Sequence, residues 1–432
     1  MRVCFTNLGC KLNQAELEQL ARDFVGAGYR VTRELTEADL HVVNSCTVTH
    51  VAARDSRKVA RRGRRVNPRI RTVLTGCYAA ENEDAARKAT GADLIVSNRD
   101  KADLVAAVES EFPEMVRRVA EESVNGAPYA PIEFGNARAL VKIEDGCNMH
   151  CSFCIIPRTR GPQRSRSPEE IRADVDRLAA GGFPEVVVTG VQISAYRHHG
   201  TGLYDLTAQL LERTRVGRLR LTSIAPWHFD GRLLDLFESG RLCRHFHLSL
   251  QSGSTATLAR MKRPYRAEEF RDLVGRIRRR VPGIAITTDV IAGFPGETDR
   301  EFEHSADFVR EMAFARVHVF PYSSRPKTEA ASLNDPVPDP VKKERVVRLR
   351  AIAADAERAF IDGQIGQPAE VVWETRRRGL WHGTSDNYVR VTTSSEAELT
   401  RRLTRSVLTA RSNDTATTTP GTAPIQGAEH AA

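Results

Sequence analysis

From Arg2 to about residue 105 one pattern repeats: a short apolar run, a small residue with a cysteine, then a stretch with helical spacing. Val3-Cys4-Phe5-Thr6-Asn7 predicts a strand that runs into Leu8-Gly9-Cys10. Gln14 to Ala27 follows as a helix with Leu17, Leu20, Ala21 and Phe24 on one face. Leu40 to Asn44 predicts a second strand, ending at Ser45-Cys46, and a helix from Val51 to Asn67 stops at Pro68. Thr72 to Thr75 predicts a third strand, ending at Gly76-Cys77, with a helical segment from Glu81. Asp93 to Val96 is a fourth. Such βα alternation implies a parallel sheet. A helix from Ala106 to about Glu122 and a connector through Gly126, Pro128, Pro131 and Gly135 then mark a domain boundary.

The alternation resumes from residue 138 to about 330. Ala139–Ile143, Val186–Gly190, Leu219–Ser223, Phe246–Leu250, Ile284–Ile291 and Arg316–Phe320 are six strands separated by helices, the first helix capped by Ser167. Six βα units predict a partial barrel, whose active site would lie at the strand C-terminal ends. Residues 339 to 362 form one amphipathic helix. The period then changes to two. Ala369–Trp373 and Asn387–Val391 predict strands of a small β domain, with Trp381, Tyr388 and Arg376–Arg378 as aromatic and basic surface. From Arg411 the chain is Thr, Ala, Pro and Gly, a disordered tail. The fold class is thus α/β, with an N-terminal open parallel βα domain, a partial (βα)6 barrel and a small all-β domain. The expected spans are 1–125, 138–362 and 363–410, with a tail at 411–432.

Composition narrows the classes. An apolar fraction of 41% and a charged fraction of 28% are those of a globular protein. No apolar run approaches the ~20 residues of a membrane helix, so the expected location is the cytoplasm with no membrane partner. Its cysteines then read as metal ligands or reactive thiols rather than a disulfide framework. The net charge of +9 favours a nucleic-acid partner or reflects an Arg-rich composition. Arg54, Arg57, Lys58, Arg61, Arg62, Arg64 and Arg65, on the helix after Cys46, either track a phosphate backbone or form a solvated face.

Three of the eight cysteines stand close together as Cys147, Cys151 and Cys154, in the pattern C-x3-C-x2-C just after the first barrel strand. Three thiolates on one loop hold three irons of a [4Fe-4S] cube and leave the fourth iron open. Zinc requires four ligands, usually from paired knuckles, and no second knuckle follows. Cys10, Cys46 and Cys77 each lie just past a strand and before a helix. In a parallel sheet those positions share one edge, so the three can converge on a second cluster. Cys4 and Cys243 belong to neither set and read as structural.

The C-x3-C-x2-C loop resembles that of the radical S-adenosylmethionine (SAM) superfamily. The resemblance implies that the open iron chelates SAM and that an electron from the cluster yields a 5′-deoxyadenosyl radical. It also implies SAM contacts at Phe153, Gly190, Val191, Gln192, Ser249, Gln251, Asp289 and Gly293. Gly9-Cys10-Lys11-Leu12-Asn13-Gln14, Asn44-Ser45-Cys46-Thr47-Val48 and Thr75-Gly76-Cys77-Tyr78-Ala79 resemble the three cysteine motifs of the methylthiotransferases. Those enzymes join a cluster domain, a radical SAM barrel and a TRAM domain. Membership would give Cys10, Cys46 and Cys77 an auxiliary [4Fe-4S] cluster that carries the inserted sulfur. Two SAM molecules would then serve each turnover, one as methyl donor.

Lys11 after the first cysteine resembles the group acting on N6-threonylcarbamoyladenosine in tRNA. The isopentenyladenosine group typically has Gln there, and the group acting on a ribosomal-protein aspartate has Pro. Implied partners are the tRNA anticodon stem-loop, a reductant such as flavodoxin or ferredoxin, and a sulfur donor. Ala225 stands where the family often has an acid. The competing reading outside enzymology is an RNA-binding iron–sulfur protein without turnover.

Overall fold

The computed structural model describes residues 1–116 and 136–418. They divide into two compact units. The first takes Met1–Phe134, Asp145–Arg164 and Ser323–Ala331; the second takes Gly135–Glu144, Ser165–Tyr322 and Ser332–Ala432. The cysteine loop, expected within the 138–362 domain, therefore groups with the N-terminal unit.

The first unit is built on a parallel sheet of β1 (Arg2–Asn7), β2 (Arg30–Thr32), β3 (Leu40–Ser45), β4 (Arg71–Gly76) and β5 (Leu94–Ile95), in the order β2-β1-β3-β4-β5. The sequence pattern missed β2, which at three residues is too short to show a period. Register sets the useful edge. Asn7 pairs with Asn44, Asn44 with Thr75 and Ser45 with Gly76, so β1, β3 and β4 end almost level. Helices α1 (Lys11–Gly26), α2 (His50–Val66), α3 (Cys77–Glu81), α4 (Glu83–Thr90) and α5 (Leu104–Glu111) belong to the same unit, as does α6 (Ile156–Arg160) beyond the cysteine loop. Thr49 caps α2 through the Ala52 amide, and its small residues Ala53, Ser56, Ala60 and Gly63 form the buried face. Asn82 separates α3 from α4 by accepting from the Ala85 amide. The helix expected from Ala106 to Glu122 is instead interrupted after Glu111. Phe112 leaves the helical region because Pro113 follows it, and residues 113–116 are helical again. Residues 117–122 and the connector lie outside the described residues.

In the second unit six parallel strands follow in order: β6 (Arg138–Lys142), β7 (Glu185–Thr189), β8 (Arg218–Leu221), β9 (His245–His247), β10 (Ala285–Ala292) and β11 (Arg316–Pro321). They form two three-stranded parallel sheets, joined by the bridge between Ile224 and Leu248. This is the expected partial barrel. In β10, Ile286, Val290 and Ala292 enter the hydrophobic core, while the alternate Asp289 and Ile291 are only partly buried. Helices α7 (Pro168–Ala180), α8 (Leu203–Arg213), α9 (Ala267–Arg280), α10 (Asp299–Met312) and α11 (Asp339–Asp362) complete it.

A closed barrel of β12 (Pro368–Arg377), β13 (Leu380–Ser385), β14 (Arg390–Thr393), β15 (Leu403–Ser412) and β16 (Thr415–Thr418) follows. Two expectations are corrected. Residues 411–418, read as disordered tail, finish β15 and make β16, because backbone pairing plus one inward Ala416 closes the barrel without apolar bulk. Residues 419–432 lie outside the described residues. Trp381 is not surface but core, with Trp373 and Val391, and Tyr388 stacks on His245 with ring centroids 4.2 Å apart.

Buried charge holds the small barrel to the larger one. Glu185 on β7 takes Arg218 Nε at 2.6 Å and Arg220 Nε at 2.7 Å. The same arginines donate onward to the carbonyls of Glu370, Thr384, Ser385 and Asp386. Burial raises the Glu185 carboxyl's pKa, but Arg218, Arg220 and Arg138 outweigh it and hold it well below the usual range.

Candidate iron–sulfur and cofactor site

The level strand ends of the first unit deliver the three dispersed cysteines to one edge. Cys10 is the extended residue ahead of α1, Cys46 follows β3, and Cys77 opens α3. Gly76, at φ +94°, makes the turn into α3, and a side chain there would lie 2.3 Å from the Ser45 carbonyl. Gly9 rests against Cys46, whose Sγ would be 2.8 Å from a Cβ at that position. The Ser56 hydroxyl holds Cys46 by accepting from its amide and donating to its carbonyl, both at 2.9 Å. Asn98 Nδ2 reaches Cys77 Sγ at 3.9 Å. The Cys46 thiol is pushed up to about 11, chiefly by burial and then by Cys77 and Cys10, against the Val48 backbone and Arg160. Three cysteine thiols brought to one strand-end edge beside a cation are a donor set suited to bound iron, which takes them as thiolates.

The second triad is local. Cys147, Cys151 and Cys154 form no disulfide and are partly exposed. The Cys147 amide donates to the Gly161 carbonyl at 3.1 Å, the Met149 amide points at Cys147 Sγ at 3.4 Å, and the Cys154 amide closes a turn onto Cys151. Unbridged thiols on one turn, with an amide donor to sulfur, fit a [4Fe-4S] cluster. The Ala330 amide braces this loop through the Ser152 carbonyl at 2.8 Å.

Sequence reading missed the charges beside these thiols. Arg160, 1% exposed, donates to Glu16 Oε1 at 2.8 Å, Asp145 Oδ1 at 2.8 Å and Asn13 Oδ1 at 2.6 Å. Lys101 meets Glu16 at 2.6 Å and Asn44 at 3.2 Å. The available signal was Asn13 and Glu16 close behind Cys10, on the helix face that carries Leu17 and Leu20. Arg325 bonds Thr47 and Glu81 at 2.6 and 2.8 Å. It lines a cleft of about 500 Å³ with His50, Arg54, Arg57 and Tyr78.

Phe153 lies on the cysteine loop, in the first unit. The other expected SAM contacts lie in the second unit, near the C-terminal ends of barrel strands. Gly190 and Val191 follow β7, and Glu144 explains the glycine: its Oε1 would be 2.1 Å from a Cβ at Gly190. The same oxygen accepts the Gln192 amide at 2.6 Å, and the Gln192 side chain meets His228 at 2.8 Å. Ser249 and Gln251 follow β9, with the Gln251 backbone paired to β10 at Asp289 and Ile291. The Gly293 amide donates to Glu297 Oε2 at 2.7 Å, and Arg345 grips the same carboxylate at 2.7 Å. Asp289 gathers with His247 and His318, their ligand atoms within 4.8 Å. Burial raises the Asp289 pKa, but His247, His318 and Arg263 reverse this and hold its carboxyl low. The structure therefore groups the strand-end residues within one barrel and adds Glu144, Glu297 and Arg345, which the sequence did not single out. Ala225, where an acid was expected, is buried and hydrogen-bonds Ser194 through its amide.

Comparison with known proteins shows the family. The radical SAM superfamily model matches residues 141–309, and the model described as Uncharacterized protein family UPF0004 matches residues 2–97. The chain is 36% identical to the threonylcarbamoyladenosine tRNA methylthiotransferase MtaB of Bacillus subtilis over 90% of its own length and 89% of that protein. It is 36% identical to MtaB of Aquifex aeolicus, over 90% of this chain and 96% of that one. The chain belongs to the radical SAM methylthiotransferase family. S-adenosylmethionine and [4Fe-4S] clusters are its cofactors. It is 34% identical to the tRNA-2-methylthio-N(6)-dimethylallyladenosine synthase of Geobacillus thermodenitrificans, over 85% of this chain and 72% of that one. Among solved structures the radical SAM methyltransferase TsrM of Kitasatospora setae shares the fold, with a TM-score of 0.57 at 16% identity over 76% of this chain and 75% of that one. No helix among the described residues is long and apolar enough to cross a membrane.

Proposed function

We propose that this enzyme installs a 2-methylthio group on N6-threonylcarbamoyladenosine, the tRNA nucleoside 3′ of the anticodon. The observation that carries this reading is the 36% identity over nine-tenths of the chain to two enzymes named for that nucleoside. Lys11 after Cys10 agrees with it, and the isopentenyladenosine alternative is not favoured. Cys147, Cys151 and Cys154 hold the SAM-binding cluster, and Cys10, Cys46 and Cys77 hold the auxiliary one. When bound, SAM and the clusters supply the radical, the methyl group and the sulfur. The chain's own residues position them. Within the second unit Glu144 fixes the Gly190–Gln192 turn, Glu297 with Arg345 fixes the Gly293 turn, and the Ser249–Gln251 segment completes that unit's SAM contacts; Phe153 is the first unit's.

Substrate RNA fits the exposed basic face of α2. Arg54, Lys58, Arg61 and Arg64 project from it, and the cleft carrying Arg57 adjoins it. The small barrel, read as TRAM-like, adds Arg376, Arg377 and Arg378 as phosphate contacts. A flavodoxin- or ferredoxin-type reductant and a sulfur donor complete the reaction, in the cytoplasm. Nucleoside mass spectrometry of tRNA from a deletion strain tests the reading. Loss of 2-methylthio-N6-threonylcarbamoyladenosine, with its unmodified parent accumulating, is expected. Loss of the isopentenyl analogue instead would assign the other substrate.

A further inference from the structure

Between the two cysteine sets runs a continuous hydrogen-bonded path within one unit. Asn13 Oδ1 lies 3.9 Å from Cys10 Sγ and accepts Arg160 Nη2 at 2.6 Å. Arg160 Nη1 reaches Asp145 Oδ1 at 2.8 Å, and that oxygen also accepts the Gly146 amide at 2.8 Å, one residue before Cys147. The Cys46 side joins through Asn13 Nδ2, which donates to the Ser45 carbonyl at 3.0 Å. The Cys77 side joins at Asn98, which bonds both Cys77 Sγ and the Thr159 carbonyl, next to Arg160. The node holds two cations, Arg160 and Lys101, and two carboxylates, Glu16 and Asp145.

A neutral buried node needs no ligand to satisfy it, so its composition alone has no bearing on chemistry. Its placement does. Only a planar guanidinium with several fixed donors meets Glu16, Asn13 and Asp145 at once. Loss of either sign of charge leaves an uncompensated charge in a low-dielectric interior. Cluster potential responds to nearby net charge.

We propose that Arg160 is a positioning residue that fixes the two cysteine triads relative to one another and sets the potential of the auxiliary cluster through its charge. The proposal rests on the assignment of one cluster to each triad. In this arrangement Glu16 counterbalances Arg160. Removal of the cation disfavours the more negative, reduced cluster, and removal of the anion favours it.

The test uses the full chain, reconstituted anaerobically, as wild type, Arg160→Gln, Arg160→Lys and Glu16→Gln. Iron analysis comes first: about eight irons per wild-type chain are expected from two cubes, and about four would sink the two-cluster assignment before any variant is considered. Redox titration followed by electron paramagnetic resonance then reads the auxiliary cluster. Arg160→Gln should shift its potential down and Glu16→Gln should shift it up. Arg160→Lys should stay near wild type in potential. Methylthio product per SAM cleaved should fall at least tenfold in Arg160→Gln and recover in part in Arg160→Lys. Potentials that are unchanged, or that move the same way in Arg160→Gln and Glu16→Gln, would overturn the proposal, as would full coupling in Arg160→Gln. Should Arg160→Gln fail to hold iron, an unshifted potential in Glu16→Gln overturns it alone and an upward shift supports it.

Discussion

Each unit buries a carboxylate among cations, and the two sites serve different ends. Glu16 sits with Arg160 and Lys101, and Glu185 sits with Arg218, Arg220 and Arg138. Around Glu185 the spare guanidinium donors end on backbone carbonyls of the small barrel, so the charge serves as an anchor. Around Glu16 they end on Asn13 and Asp145, side chains next to Cys10 and Cys147. A buried ion pair is weak evidence of net stability. What its remaining donors touch tells an anchor from a tuned site.

The largest effects break the comparison on the chemical side. Cys151→Ala is expected to abolish SAM cleavage, and Cys46→Ala to leave cleavage measurable while removing all methylthio product. Product from the Cys46 variant, assayed by nucleoside mass spectrometry, would show that the dispersed triad carries no sulfur. On the anchoring side, Glu185→Gln leaves Arg218 and Arg220 without their anion and should cost about 3–5 kcal/mol of stability. Chemical denaturation measures this, and the folded fraction should keep its iron content and cluster spectrum. An altered cluster signal would erase the distinction drawn between the two sites.

The third effect is a pH dependence within the first unit. Burial, with Arg62 adding to it, lowers the His41 pKa to about 4 from an ordinary 6.5. The folded state therefore binds the proton less well than the unfolded state. The stabilisation from neutral His41 is complete above pH 6.5 and is lost as pH falls toward 4, on the order of 3 kcal/mol in all. Thermal melts across that window should show a smaller acid loss for His41→Gln than for wild type. The smallest effect is at the surface. Arg54→Glu with Arg61→Glu on α2 should weaken tRNA binding several-fold and flatten its salt dependence, with SAM cleavage unchanged. Equal salt slopes for wild type and variant would return that helix to a merely solvated face.

Much of the site was legible because its spacing is local. Cys147, Cys151 and Cys154 lie on one turn whatever surrounds them. Cys10, Cys46 and Cys77 could be placed on one edge because parallel βα units repeat the same strand-to-helix turn. Arg160 was not legible. It is one of many arginines, and its partners Asn13, Glu16 and Asp145 are distant in sequence. The tail reading failed at Arg411 for a related reason, since strand pairing in a closed barrel supplied what composition lacked.

The sequence by itself determined the two cysteine sets, the alternation that builds the partial barrel, and the family motifs that name the chemistry. Each of these is written in residue spacing and local period. Only the tertiary structure decided that the cysteine loop groups with the N-terminal unit, that Trp381 is core, and which charges are buried beside the thiols. Those outcomes depend on which side chains meet across long separations and lose their water together. No local pattern encodes that.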